Sequence, residues 1–195
     1  MKVCALQHET WFPRVQVSST LSIGRDAMDL PLQWKQPRHV FVMPGFELFE
    51  RPLPFISEVF AVMHRAQCHE YQVTTRFPER ATAAGLSWGP YIWLGAVFDG
   101  SRDAQELIEA LLEVPAQVRF VHFAELPTNH FKLDGLQFAI SEVEAHAPTL
   151  APLRTMCKAT SVKLFAGPIA ADAEFVDLDD DDGDDSGVPR LPRGS

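Results

Sequence analysis

The sequence predicts an α/β fold in which strands and helices alternate along one chain around a mainly parallel sheet. Two observations carry that prediction. Short apolar runs rich in β-branched and aromatic residues recur from HVFVM (39–43) to SVKLF (161–165), and stretches with apolar residues three and four apart lie between them. Strands that are apolar almost throughout are buried on both faces, and a strand returning parallel to its predecessor needs a crossover. The intervening helices are therefore expected to cover the sheet. A partial (β/α) barrel is one closure available to such a sheet, and an open sheet is the other.

The elements follow in order. HVFVM, after the break at Pro37, reads as a buried strand. In PFISEVFAVMHRA, Phe55, Ile56, Val59, Phe60 and Met63 form one apolar stripe on a helix opened by Pro52 and Pro54, since proline suits a first helical turn. YQVTT (71–75) and YIWLGAV (91–97) are the next strands, with a proline-initiated turn of helix over 78–84 between them. A further helix is marked by Ser101 or Asp103 as cap, by Glu106 three residues beyond Asp103, and by Leu107, Ile108, Leu111 and Leu112 as its buried face. Pro115 ends it. QVRFVHF (117–123) and LQFAIS (136–141) are strands, 149–159 is a last helix, and SVKLF a last strand.

Three regions result: residues 1–38 as a segment packing on the core, 39–168 as the α/β core, and 169–195 as a tail. The first region carries weak strand signals at Val3–Leu6 and Arg14–Val17, and LPLQWKQP reads as an extended connector. The tail reads differently. Nine carboxylates and no base fall between Asp172 and Asp185, so LDDDDGDDSG repels itself and buries no apolar area, which predicts a segment without fixed structure. The closing LPRGS resembles a protease-site cloning remnant.

Charge divides the same way. Of the formal charge of -9, residues 1–171 hold only about -2, because 17 acids there face 15 bases. Such a body lacks the basic stripe that grips phosphates, which argues against direct nucleic-acid binding. No apolar run approaches the roughly 18 residues of a membrane span, and Gln7, His8 and Glu9 interrupt the first apolar stretch, so a cytoplasmic protein is expected. Cys4, Cys68 and Cys157 are too far apart in sequence for a disulfide framework or a zinc motif, and no metal is expected. His64 and His69, flanking Cys68 at a helix end, read as complements to the helix dipole. P-loop and G-x-G-x-x-G motifs are missing, which weakens the commonest NTPase and dehydrogenase readings.

From about Leu30 to Pro168 the stretches PLQWKQPRHVFVMPGFELFE, FISEVFAVMHRAQCHEYQVTTRFPER, YIWLGAVFDG, LLEVPAQVRFVHFAEL and LDGLQFAISEVE resemble, in order and spacing, the phage-associated, radical-SAM-like family of unknown function. The resemblance implies a partial β/α barrel, phage or prophage origin, and an iron–sulfur cluster held by closely spaced N-terminal cysteines. This chain departs from the pattern: only Cys4 precedes Trp34, and one thiolate cannot hold a cluster. Met43 and Pro44 stand in place of an Asn-Ser pair, Arg76 and Phe77 in place of a Lys-Arg pair, and Glu142 and Val143 in place of a glycine pair. Val97, Phe98 and Asp99 replace Ser-Val-Glu, and His122, Phe123 and Ala124 replace Ser-Ala-Glu. A framework kept while its mouth is rewritten implies a scaffold without its former chemistry and without a cofactor.

Arg76, Asp99, His122, Glu125, Glu144 and Lys163 fall at or near strand ends, where they either converge on a vestigial pocket or satisfy one another and the loop backbones. Trp34, Trp88, Trp93, Phe46, Phe49 and Phe77 are either core or an aromatic patch left for a partner. In the tail, Asp177, Asp179, Asp180, Asp181, Asp182, Asp184 and Asp185 can imitate a phosphate backbone toward a basic nucleic-acid-binding protein. The leading expectation is a non-catalytic phage or prophage binding protein, inhibiting a host nucleic-acid-binding defence complex. The alternative is an enzyme on a nucleotide or S-adenosylmethionine-like molecule, in which Arg76 and Lys163 hold an anion while Glu125 or His122 moves a proton.

Overall fold

Proline and apolar spacing set the elements where the sequence places them. The computed structural model describes residues 7–11, 28–43, 46–144, 146–166 and 176–177. Its elements in chain order are β1 (Gln7–Trp11), α1 (Leu30–Gln33), β2 (Arg38–Val42), a 3-10 turn (Leu48–Glu50), α2 (Leu53–Arg65), β3 (Glu70–Thr75), α3 (Pro78–Ala83) and β4 (Ile92–Phe98). They continue with α4 (Ala104–Leu112), β5 (Val118–Phe123), β6 (Phe138–Ser141), a 3-10 turn (Pro148–Leu150), α5 (Ala151–Thr160), β7 (Lys163–Ala166) and β8 (Val176–Asp177). Strands and helices alternate as expected, and the parallel strands dominate.

The chain divides into two compact units, one of residues 1–95 with 113–118, the other of 96–112 with 119–195. In the first unit β1 pairs parallel with β2 and β2 parallel with β3, His39 standing opposite His8 and Glu70. The main chain at Tyr71 donates to the carbonyl of Tyr91, next to the start of β4. Val40, Val42, Tyr71, Val73, Ile92 and Leu94 are buried at every second strand position, and α2 contributes Ile56, Val59, Phe60 and Met63 from its apolar stripe. Burying side chains of this kind contributes about 1.5–3 kcal/mol each.

In the second unit β5, β6 and β7 pair parallel in chain order, with Phe120 opposite Phe138 and Phe138 opposite Lys163. Phe120 stacks on Phe138 with ring centroids 4.6 Å apart, and Phe165 meets Phe138 edge-on. Within each unit the strand order runs without a reversal, as in the winding of a β/α barrel and unlike a doubly wound sheet with its switch point.

One expectation needs adjusting, and two fall largely outside the described residues. LPLQWKQP is not wholly extended, because Leu30–Gln33 makes one helical turn with Pro31 buried in it. The first strand is Gln7–Trp11, directly after the expected Val3–Leu6, which with Arg14–Val17 lies outside the described residues. The structureless tail also falls outside them, except that Val176–Asp177 pair antiparallel with Phe165–Ala166 at the β7 edge. Among the described residues no helix is long and apolar enough to cross a membrane.

Candidate functional site

The carboxyl ends of strands are where α/β folds gather polar groups, and in the second unit they gather at β4, β5 and β6. The carbonyl of Phe98, last in β4, accepts the N–H of Ala124 at 3.0 Å and of Glu125 at 3.4 Å, so the segment after β5 lies against the end of β4. Asp99 then turns the chain, its Oδ1 accepting from the Ser101 N–H (3.1 Å) and hydroxyl (2.5 Å). Gly100 has φ +78°, a left-handed conformation that favours glycine at this turn. Asp103 caps α4, accepting from Gln105 N at 2.9 Å and Glu106 N at 3.1 Å. Together these segments bound a cavity of about 250 Å³, lined by Phe98, Arg102, Asp103, Glu125, Thr128 and Asn129 among others.

His122, near the end of β5, meets a carboxylate that the sequence reading had not paired with it. Its Nε2 lies 3.0 Å from Glu142 Oε1, out of line for a hydrogen bond, so the contact is one of charge proximity. Register explains the meeting: His122 stands opposite Ile140, and Glu142 follows two residues on. Burial lowers the His122 pKa below its ordinary 6.5, while the Glu142 carboxylate pulls the other way. Backbone bonds fix Glu142 too, its N–H donating to the Phe123 carbonyl at 3.1 Å, and the Ser141 hydroxyl accepts from Val143 N at 3.2 Å.

The other predicted residues have surroundings of their own. Glu144 is exposed, and its carbonyl accepts from Ala147 N at 2.9 Å. Lys163 opens β7 instead of closing a strand, two register positions before the level of His122, so it belongs to the amino ends of the strands. Arg76 belongs to the first unit, where its N–H donates to Glu47 Oε2 at 2.9 Å. Glu47 was not singled out from sequence. Its buried carboxylate also accepts from the Thr75 hydroxyl at 2.7 Å and the Phe49 N–H at 3.1 Å. Nothing in its local sequence announces partners almost thirty residues away.

Elsewhere in the first unit, Phe46 is 50% exposed and Phe49 buried, while Trp34, Phe77, Trp88 and Trp93 are half-buried, so the aromatic residues do not fall wholly to core or to surface. Since carbonyls only accept, His64 donates from Nε2 to Ser87 O (3.0 Å) and takes the Tyr91 hydroxyl at Nδ1 (2.6 Å). His69 likewise donates to Pro31 O at 2.9 Å and accepts the Arg38 N–H at 3.2 Å. Both rings therefore serve the fold with both nitrogens.

The described residues hold two thiols. Cys157 is 1% exposed within α5 of the second unit, Cys68 is exposed in the first, and Cys4 lies outside the described residues. Among the described residues no three His, Cys, Asp or Glu side chains come together as a metal site. The family model that matches is described as DUF5131, protein of unknown function, over residues 2–164. No curated protein and no solved structure matches.

Proposed function

From the premise that the chain belongs to the DUF5131 family, proteins of unknown function, we propose that it is a non-catalytic binding protein of phage or prophage origin that uses its α/β framework as a rigid platform. The observation that carries this reading is the internal engagement of the strand-end polar groups. Glu47 holds Phe49, Thr75 and Arg76, Asp99 holds Ser101, and Glu142 faces His122. Groups so engaged hold loops in place, as half-buried polar groups must. Three dispersed thiols, one of them buried in a helix, add support.

The partner we propose is a basic nucleic-acid-binding protein in the host cytoplasm, part of a defence complex, met by the carboxylates from Asp172 to Asp185. Closely spaced carboxylates present the charge pattern of a phosphate backbone, and their binding weakens steeply with salt as released counterions are recaptured. The phage origin follows the resembled family alone.

The platform reading is tested on anaerobically purified protein by iron and sulfide analysis and by thermal shift with S-adenosylmethionine and nucleotides. Background metal and unshifted melting are expected. Stoichiometric iron and sulfide, or a saturable stabilisation lost in Arg76→Ala, would overturn it. The tail's share is read by titrating a captured host partner with the full chain and with a chain ending at Ala171: equal affinity and a flat salt response would remove the tail from the interface. One observation favours an enzyme as second reading, namely the cavity beside Glu125 and Arg102. Saturable stabilisation by a small molecule, lost in Glu125→Ala, would select it.

A further inference from the structure

We infer that the cavity at the carboxyl ends of β4 and β5 receives an arginine side chain of the protein partner, its guanidinium held by Glu125. The contact deepens the platform reading and rests on it for the source of the arginine. What sets this place apart is that its polar groups are not spent on the fold. Glu47, Asp99 and Glu142 are engaged by neighbouring side chains or main chain. By contrast, the Glu125 carboxylate, the Thr128 hydroxyl and the Asn129 side-chain amide make no hydrogen bond or ion pair among the described residues, and all three line the cavity. The main chain holds them there. Ala124 and Glu125 donate their N–H groups to the Phe98 carbonyl, and Glu125 Oε2 lies against the Gly100 turn, 2.8 Å from where a Cβ on that glycine would stand.

Size and charge select the ligand. At about 250 Å³ the cavity is smaller than the roughly 300–1,000 Å³ of sites that enclose drug-sized molecules, so it suits a side chain better than a nucleotide. Glu125 and Asp103 line it against one base, Arg102, which favours a cation. Asp103 spends only Oδ1 on capping α4. Among the described residues no three His, Cys, Asp or Glu side chains meet as a metal site, which leaves an organic cation. Of the two cations that side chains offer, guanidinium fits better than ammonium. Its five N–H donors lie in one plane, two of them matching a carboxylate side by side and leaving others for acceptors such as the Thr128 hydroxyl and the Asn129 carbonyl. It is also the more weakly hydrated, so it loses less on leaving water. An ion pair in open solvent contributes little. Here Phe98, Leu126 and Pro127 supply apolar surface in the same cavity for the methylene stem.

The experiment titrates isotopically enriched full-length chain with the capped tripeptide acetyl-Ala-Arg-Ala-amide and follows the amide signals by NMR. Saturable shifts confined to residues 98–104 and 124–129 are expected, with a Kd no weaker than about 1 mM. The lysine peptide should bind at least about threefold more weakly, and the citrulline peptide, which keeps the shape without the charge, not measurably. Free arginine, which carries a carboxylate of its own, should also bind more weakly than the capped peptide. Glu125→Gln should weaken arginine-peptide binding by about tenfold or more while the remaining spectrum stays in place. Glu113→Gln, an exposed carboxylate outside the cavity lining, should leave binding unchanged. Absence of saturable shifts, shifts spread over the whole surface, or equal binding of the citrulline peptide overturns the inference. Equal or tighter binding of free arginine overturns the protein source. Chemical conversion of the peptide, read by mass spectrometry, would overturn the platform reading as well, so the two failures are told apart.

Discussion

Glu47→Ala should be among the most destabilising single substitutions in the first unit. The buried carboxylate accepts three hydrogen bonds, from Phe49 N at 3.1 Å, the Thr75 hydroxyl at 2.7 Å and Arg76 N at 2.9 Å, and the Thr75 oxygen in turn accepts Phe77 N at 2.9 Å. Hydrogen bonds to a charged group contribute about 1.5–3 kcal/mol each, and donors left unpaired add their desolvation. Because the three share one carboxylate their losses are not additive, and about 3–5 kcal/mol is the expected cost, the range for breaking a buried network. Glu47→Gln keeps one acceptor oxygen for Phe49 and Thr75 but sets an amide N–H against the Arg76 N–H, so about 1–3 kcal/mol is expected there. Urea unfolding followed by tryptophan fluorescence reads the correct unit, since Trp11, Trp34, Trp88 and Trp93 all belong to it. An alanine variant within about 0.5 kcal/mol of the parent would refute the argument, that being the scale of an uninvolved surface change. A glutamine variant as damaging as alanine would refute the assignment of the acceptors.

Further expectations bear on the second unit and on β2. With its pKa below 6.5 in the folded state, His122 binds fewer protons there than in the unfolded chain, so its contribution is complete above about 6.5 and is lost as pH falls from there toward the folded value. Imidazole titration by NMR should show this depression, and Glu142→Gln should deepen it by removing the opposing carboxylate; a rise would contradict the contact. Asp103→Ala removes the α4 cap and should cost about 1 kcal/mol in denaturant unfolding, whereas Asp103→Asn should recover most of it. Met43, buried at φ 49°, carries about 1–2 kcal/mol of left-handed strain. Its burial contributes about 1.5–3 kcal/mol. Met43→Asn should therefore destabilise slightly, and a clear gain in melting temperature would show that the side chain is not needed in the core.

Much of the fold was legible because its signals are local. For α2, two prolines and an apolar stripe sufficed, and for α4 the Asp103 cap and four leucine or isoleucine positions did. α1 escaped because four residues around Pro31 are too few to display a period. β8 escaped because two residues among carboxylates have no strand signal of their own and are held by an available edge. The site was less legible, and for one physical reason. A run of apolar residues shows that a strand exists but leaves open which of its positions is the carboxyl end. The apolar pattern of SVKLF allows a strand from Ser161, yet pairing begins at Lys163, which places that lysine at the opposite end from His122. Glu142 acquires its role through register, and Glu47 through the turn that sets it at the end of β3, so each meets a residue 20 to 30 positions away in sequence.

Two main-chain positions show how differently side chains are set on this framework. Met43 follows β2 with a left-handed φ of 49°, a conformation that asparagine adopts more readily than methionine, and its side chain is buried. At Glu142 the N–H donates to the Phe123 carbonyl at 3.1 Å while the carboxylate faces His122. The backbone bond and the side-chain contact of Glu142 are made by different atoms, so the side chain can be exchanged while the bond that holds the chain after β6 to the end of β5 is kept.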